Sequence, residues 1–229
     1  MLLSIIKSGA DIWTVVGVIM SAVIVIFLTL PVHEFAHGFV ANKLGDPTPR
    51  YQGRLTLNPI AHIDPIGALG ILLFGIGWAK PVNVNARYFK NPKWGMAITA
   101  LAGPVSNIIM AFISLVLMNT IVVLNIKTGF GGGIYLLVVT FFYYVANINV
   151  YLAVFNFIPI PPFDGSRVLF AFLPTKYYFS IMRYERFIFI GLLVILYLGV
   201  FDYPLTAASG FIISGLNNLA ALPFNLIGV

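Results

Sequence analysis

From Ile12 to Ala41 the sequence is almost unbroken apolar, and its single charged side chain is Glu34. A helix needs roughly 20 such residues to cross the ~30 Å hydrocarbon layer. There the backbone has no water to bond to and must satisfy itself, which a helix does. The rest of the chain follows suit. Of its 229 residues 60% are hydrophobic and 9% charged, with a mean hydropathy of +0.98, whereas soluble domains carry about 25% charged residues. The expectation is an all-α polytopic membrane protein forming one membrane-embedded domain over 1–229, with a core over 12–167. The first run is too long for a signal peptide and lacks a small-residue cleavage site, so it reads as a retained span.

Three further runs suggest spans: about Trp94–Leu124, Ile134–Phe157 and Phe187–Phe201, giving about four in all. The segment "PIGALGILLFGIGW" (Pro65–Trp78) is too short to cross and reads as re-entrant. On either side of it, "RLTLN" and "KPVNVN" alternate with period two, which predicts short strands or hairpin arms. Beyond residue 181 a C-terminal helix is expected, followed after Pro204 by an apolar tail lying along the interface.

Basic residues are uneven along the chain. Lys43, Arg50, Arg54, Lys80, Arg87, Lys90 and Lys93 fall between the first two spans, and Arg167, Lys176, Arg183 and Arg186 between the last two. The remaining loop holds only Lys127. Positive-inside bias places both basic loops in the cytoplasm, with the first span running outside to inside. The net charge of +6 is thereby accounted for. No basic stripe on a nucleic-acid-reading fold is visible, so nucleic acid is not an expected partner.

Near the inner end of the first span stands "PVHEFAH". Positions i and i+4 share a helix face, so His33 and His37 can direct their imidazoles to one metal ion with Glu34 alongside. His-Glu-x-x-His is the zinc-hydrolase pattern: two ligands plus a carboxylate that handles the proton of the attacking water. Helix-packing polar residues are the bland alternative. Against it, an acid at membrane depth costs on the order of 2.5–3.5 kcal/mol, and two of only three histidines are here. Pro31 also frees backbone carbonyls that something must satisfy.

A catalytic zinc site takes three protein ligands, and the chain has no cysteine. The third must come from His62 or an acid. Asp11, Glu185 and Asp202 sit at span ends, and Asp46 and Asp64 could be ordinary turn residues. Asp164 lies in "NFIPIPPFDGSRVL", where Pro159, Pro161 and Pro162 must break the third span. Broken backbone at membrane depth is tolerated where it lines a cavity, and Asp164 is placed to reach into one. A turn Asp-Gly at the membrane surface is the competing reading.

The two motifs together resemble the site-2 protease family, the zinc intramembrane metalloproteases. That family pairs His-Glu-x-x-His with a later Asn-x-x-Pro-x-x-Pro-x-Asp-Gly, met here by Asn156, Pro159, Pro162, Asp164 and Gly165. "LNPIAHIDPIG" (Leu57–Gly67) and "AGPVSN" (Ala102–Asn107) also resemble bacterial and archaeal members. The resemblance implies zinc held by His33, His37 and Asp164, Glu34 as catalytic base, and Asn107 and Asn156 near the substrate. It implies a multi-pass protein of the cell membrane, with its active site near the cytoplasmic side. Substrates would be transmembrane proteins within the lipid bilayer, such as anti-sigma factors, or leftover signal peptides. The "KPVNVN" arm is where an extended substrate is expected to add as a β-strand. His62 follows the family loop and reads as structural. Nothing resembles the family's PDZ or CBS domains, and only the short leader "MLLSIIKSGAD" precedes the zinc helix. The rival readings are a zinc transporter or sensor, and a catalytically inactive span-binding homologue.

Overall fold

The computed structural model describes residues 9–74, 77–129, 131–174, 181 and 184–225. Most of the leader, the loop positions Lys176 and Arg183, and the last four residues lie outside them. The first helix, α1 (Ile12–Lys43), is continuous but changes pitch at Val25–Thr29, one π-helical turn. Asp11 starts it by accepting the N–H groups of Trp13 and Thr14. Hydrogen bonds from the Thr14 hydroxyl and backbone hold the Asp11 carboxyl below its ordinary range. The π turn has a local cause: Pro31 has no N–H to donate, and the backbone widens just ahead of it, with the Leu30 N–H bonding back to Val25.

After α1 come α2 (Thr48–Tyr51), a 3₁₀ turn at Pro59–Ala61 and α3 (Pro65–Phe74). Then follow α4 (Pro92–Thr128), α5 (Gly133–Asn156), α6 (Asp164–Phe172), α7 (Glu185–Tyr197) and α8 (Asp202–Asn225). Among the described residues four helices are long and apolar enough to cross a membrane: Ile12–Lys43, Pro92–Thr128, Gly133–Asn156 and Asp202–Phe224. The chain is thus an all-helical, multi-pass membrane protein. Helix α4 packs on α1, α5 and α6, and α5 packs on α1. Small side chains let the spans approach closely: Ala111, Leu115, Ala146, Val150 and Ala220 form the core between α4, α5 and α8. Large apolar residues such as Ile109, Ile113, Leu117 and Phe211 are exposed, as lipid-facing positions should be.

Two expectations change. The fourth crossing-length helix is α8 and not Phe187–Phe201. Helix α7 has 13 residues, about 20 Å, whereas the supposed interfacial tail is a 24-residue helix packed on α4 and α5. Its polar residues dilute the apolar signal, and one of them, Asn217, is spent inside the bundle, accepting from the Asn119 amide at 3.1 Å.

The hairpin arms are the second correction. Among the described residues there are no strands, only a single antiparallel bridge between Ile63 and Ala79. The alternating segments spend their backbone groups on side chains instead. Val82 N–H donates to Glu34 and Asn85 N–H to Asp46, while the Thr56 carbonyl takes His62 Nε2–H at 2.8 Å. The re-entrant segment is the ten-residue α3, too short to cross, with Ile71 buried against Ile26 and Leu30 of α1.

Candidate metal centre

His33 and His37 lie on the α-helical stretch after the π turn, one helical turn apart and both buried. Their rings meet edge to face with centroids 4.6 Å apart. His37 Nδ1 is 2.7 Å from the Thr99 carbonyl of α4. A carbonyl only accepts, so Nδ1 carries the proton and Nε2 presents a lone pair. That Nε2 lies 3.0 Å from His33 Nε2. At this distance one ion could take a lone pair from each ring.

The third donor comes from beyond the break in α5. Three prolines interrupt the helix after Asn156, and α6 opens at Asp164. Gly165 makes the geometry possible: a Cβ there would collide with the Phe157 carbonyl and lie 2.8 Å from that of Ile158. With that close approach, Asp164 Oδ2 sits 3.4 Å from His33 Nε2 and 3.2 Å from His37 Nε2. Among the described residues this is the one group of three metal-ligating side chains.

The donor set fits zinc. Tetrahedral ligands about 2.05 Å from the ion are about 3.3 Å from one another, and the three observed separations are 3.0, 3.2 and 3.4 Å. One neutral-imidazole pair with one carboxylate is also a known catalytic ligand set, leaving a position open. The fourth side is bare backbone. A Cβ built on Gly103 of α4 would fall on His37 Nε2 and within 2.6 Å of His33 Nε2, so any side chain at 103 would intrude on the ligand atoms.

Glu34 is half-buried beside the histidines, and its Oε2 accepts the Val82 N–H at 2.9 Å. Asn107 stands one turn along α4 from Gly103, 1% exposed, with both amide atoms unpartnered. Asn156 closes α5, half-buried, and no described contact brings it to the three donors. The other acids have separate duties: Asp64 accepts from Ile66 and Gly67 at the start of α3, and Asp46 is buried on backbone donors.

The description of peptidase family M50 matches residues 21–198, a stretch that contains every residue of the centre. The chain belongs to peptidase family M50. Three relatives are each named "Putative zinc metalloprotease". With YwhC of Bacillus subtilis the chain shares 41% identity over 76% of its own length and 78% of the relative's. MJ0611 of Methanocaldococcus jannaschii is 32% identical over 60% of this chain. Rip2 of Mycolicibacterium smegmatis is 28% identical over 66% of it. The matches span 62% and 56% of those two relatives, less than two thirds of either. No solved structure matches.

Sequence reasoning missed three residues of this M50 chain that the fold makes prominent. Gly103 leaves no signal except the absence of a side chain beside Pro104. Asn149 of α5 is fully buried and donates to Thr29 Oγ1 at 3.2 Å, tying α5 to the π turn. An amide in mid-span was its available signal. Asp46 reads as a turn residue in the sequence, and only the fold reveals its long-range bond to Asn85.

Proposed function

We propose that His33, His37 and Asp164 hold one zinc ion and that Glu34 is the catalytic base of this protease, which cleaves peptide bonds in or beside membrane spans. As an M50 protein the chain is a zinc metalloprotease built of membrane-crossing helices, and membership of that family implies membrane-protein substrates in the bilayer. The observation that carries the residue assignment is the triangle of donors 3.0–3.4 Å apart, with a carboxylate on the residue next to one of them.

Bound zinc supplies a Lewis acid for the scissile carbonyl and activates water at neutral pH. The protein's own groups do the rest. His37 is held in the ligating tautomer by Thr99, and Gly103 keeps the ligand atoms clear. Glu34 takes a proton from the attacking water and passes it to the leaving amine. Its Oε2 is occupied by Val82 N–H, which leaves Oε1 for that task. Asn107 has two unspent hydrogen-bonding atoms on the same helix face as Gly103, suited to a developing oxyanion. Asn156 takes the lesser part of steadying the substrate strand. A substrate helix hides its carbonyls and must unwind. The 80–85 arm is where we place it: the N–H groups of Asn83 and Val84, which face opposite sides of an extended segment, have no partner among the described residues, leaving one on either side for a pairing strand. In this reading residues 1–229 form one domain in the cell membrane, open to water on the cytoplasmic side, where the basic loops lie.

The test is Glu34→Gln. Zinc should remain near one per chain while cleavage of a membrane-protein substrate in detergent or liposomes is lost, by roughly 10²-fold or more. Retained cleavage would sink the assignment. Zinc crossing a liposome membrane would favour the transporter reading instead.

A further inference from the structure

One buried acid has no part in the mechanism so far. Asp46, just beyond the zinc helix, is fully enclosed, and among the described residues no lysine or arginine pairs with it. Its Oδ1 accepts the Thr48 N–H at 2.9 Å, and its Oδ2 accepts the Asn85 N–H at 2.7 Å. The first bond is a local turn that asparagine or serine would make equally well. The second reaches 39 residues along the chain. Burying a carboxylate is expensive unless both oxygens are used, so the bond to Asn85 is what calls for an acid here.

The arm that Asp46 grips ends at the active site. Residues 80–85 have three anchored N–H groups: Lys80 on the His62 carbonyl at 2.7 Å, Val82 on Glu34 at 2.9 Å and Asn85 on Asp46. Pro81 has none to give. Val82 is buried, and a Cβ built on Gly38 of α1 would be 3.5 Å from its side chain. With Lys80 and Asn85 both anchored and the Val82 side chain buried, the N–H at 82 has little freedom. We propose that Asp46 is a positioning residue for catalysis: it sets the arm so that Val82 N–H holds one oxygen of Glu34 and leaves the other aimed at the reacting water. The inference rests on Glu34 as the base.

Asp46→Asn tests it. The amide keeps the Thr48 turn through its oxygen but turns an NH₂ toward the Asn85 N–H, donor against donor. Displacements of about 1 Å near reacting groups cost up to about 10²-fold. We expect kcat to fall by roughly tenfold or more, with KM within about twofold and zinc still one per chain. Hydrogen exchange across residues 79–85 should quicken. Asp46→Ser, which also keeps the local turn, should behave likewise.

A cycle with Glu34→Asp separates positioning from general loss of structure. The shorter carboxylate withdraws from Val82 while remaining a base, so adding Asp46→Asn should cause no further loss. Wild-type kcat in both Asp46 variants overturns the proposal, and so do independent, multiplying losses in the cycle. Failure of both variants to fold with zinc bound assigns Asp46 to stability alone, which also overturns it. Glu34→Gln, run alongside, identifies failure of the underlying reading: if it still cleaves, the base is wrong whatever Asp46 does.

Discussion

Replacing Gly103 with alanine asks whether the centre is built against bare backbone. The new methyl would lie 2.6 Å from His33 Nε2 and closer still to His37 Nε2. Non-bonded heavy atoms settle at about 3.5 Å, so with zinc bound the imidazoles or α4 must yield by about 1 Å. Zinc–ligand distances tolerate only about ±0.2 Å. Overpacking of this kind typically costs 1–3 kcal/mol. Charged entirely to the bound state, that weakens zinc by roughly 5- to 140-fold at 1.4 kcal/mol per decade.

The opposing effect is helix propensity, which favours alanine over glycine by about 1 kcal/mol. With zinc stripped, the imidazoles can turn away and this term prevails. The expected signature is therefore split: apo stability equal to or above wild type, with zinc affinity well below it. Competition against a zinc chelator in detergent reads the affinity, and thermal unfolding of the stripped protein reads the stability. Gly210→Ala, where a Cβ would meet nothing within 4 Å, is the control and should leave zinc unchanged. Zinc bound by Gly103→Ala within twofold of wild type would refute the placement of the histidines against α4.

Two further outcomes follow from the same geometry. Asn149→Leu removes the bond to Thr29 but keeps an apolar side chain between spans, and such bonds average about 0.6 kcal/mol in membranes. Unfolding in denaturing detergent should therefore show a loss below about 1 kcal/mol, and a loss of several would mean the π turn depends on that amide. Zinc and protons compete for the histidine donors. Zinc affinity measured by equilibrium dialysis at buffered free zinc should weaken as pH is lowered, because each imidazole must shed its proton to bind, and an affinity independent of pH would argue against a histidine-held ion.

The parts of the candidate site that are legible in the sequence announce themselves as exceptions to their surroundings. His33, Glu34 and His37 are polar groups in an apolar run, and Asp164 follows three prolines that no span can absorb. The parts that were not legible depend on what approaches from elsewhere. Gly103 matters because two imidazoles face it, and Asp46 because Asn85 arrives at its second oxygen. Alternation in "KPVNVN" predicts a strand, but periodicity cannot say which partner takes the N–H groups. Here carboxylates take two of them where a strand was expected. The fourth span was misread for a related reason. Polar residues in α8 weaken its apolar signal, and only packing shows that Asn217 is spent inside the bundle.

One helix widens, one stops and a third lacks a backbone donor, and the three places meet. Helix α1 widens into a π turn directly before the His33 turn. Helix α4 carries Gly103 against the imidazoles and Pro104, which withholds its N–H from the preceding turn, immediately after it. Helix α5 stops, and a proline-rich loop delivers Asp164. Irregular backbone at membrane depth persists only where protein buries it or a water-filled cavity receives it. A hydrolase in lipid needs such a place, because its second substrate is water. The same breaks that expose backbone carbonyls therefore provide the bare wall, the ligand-bearing turn and the polar setting that the proposed chemistry requires. Filling or regularising any one of them should remove function before it removes the fold.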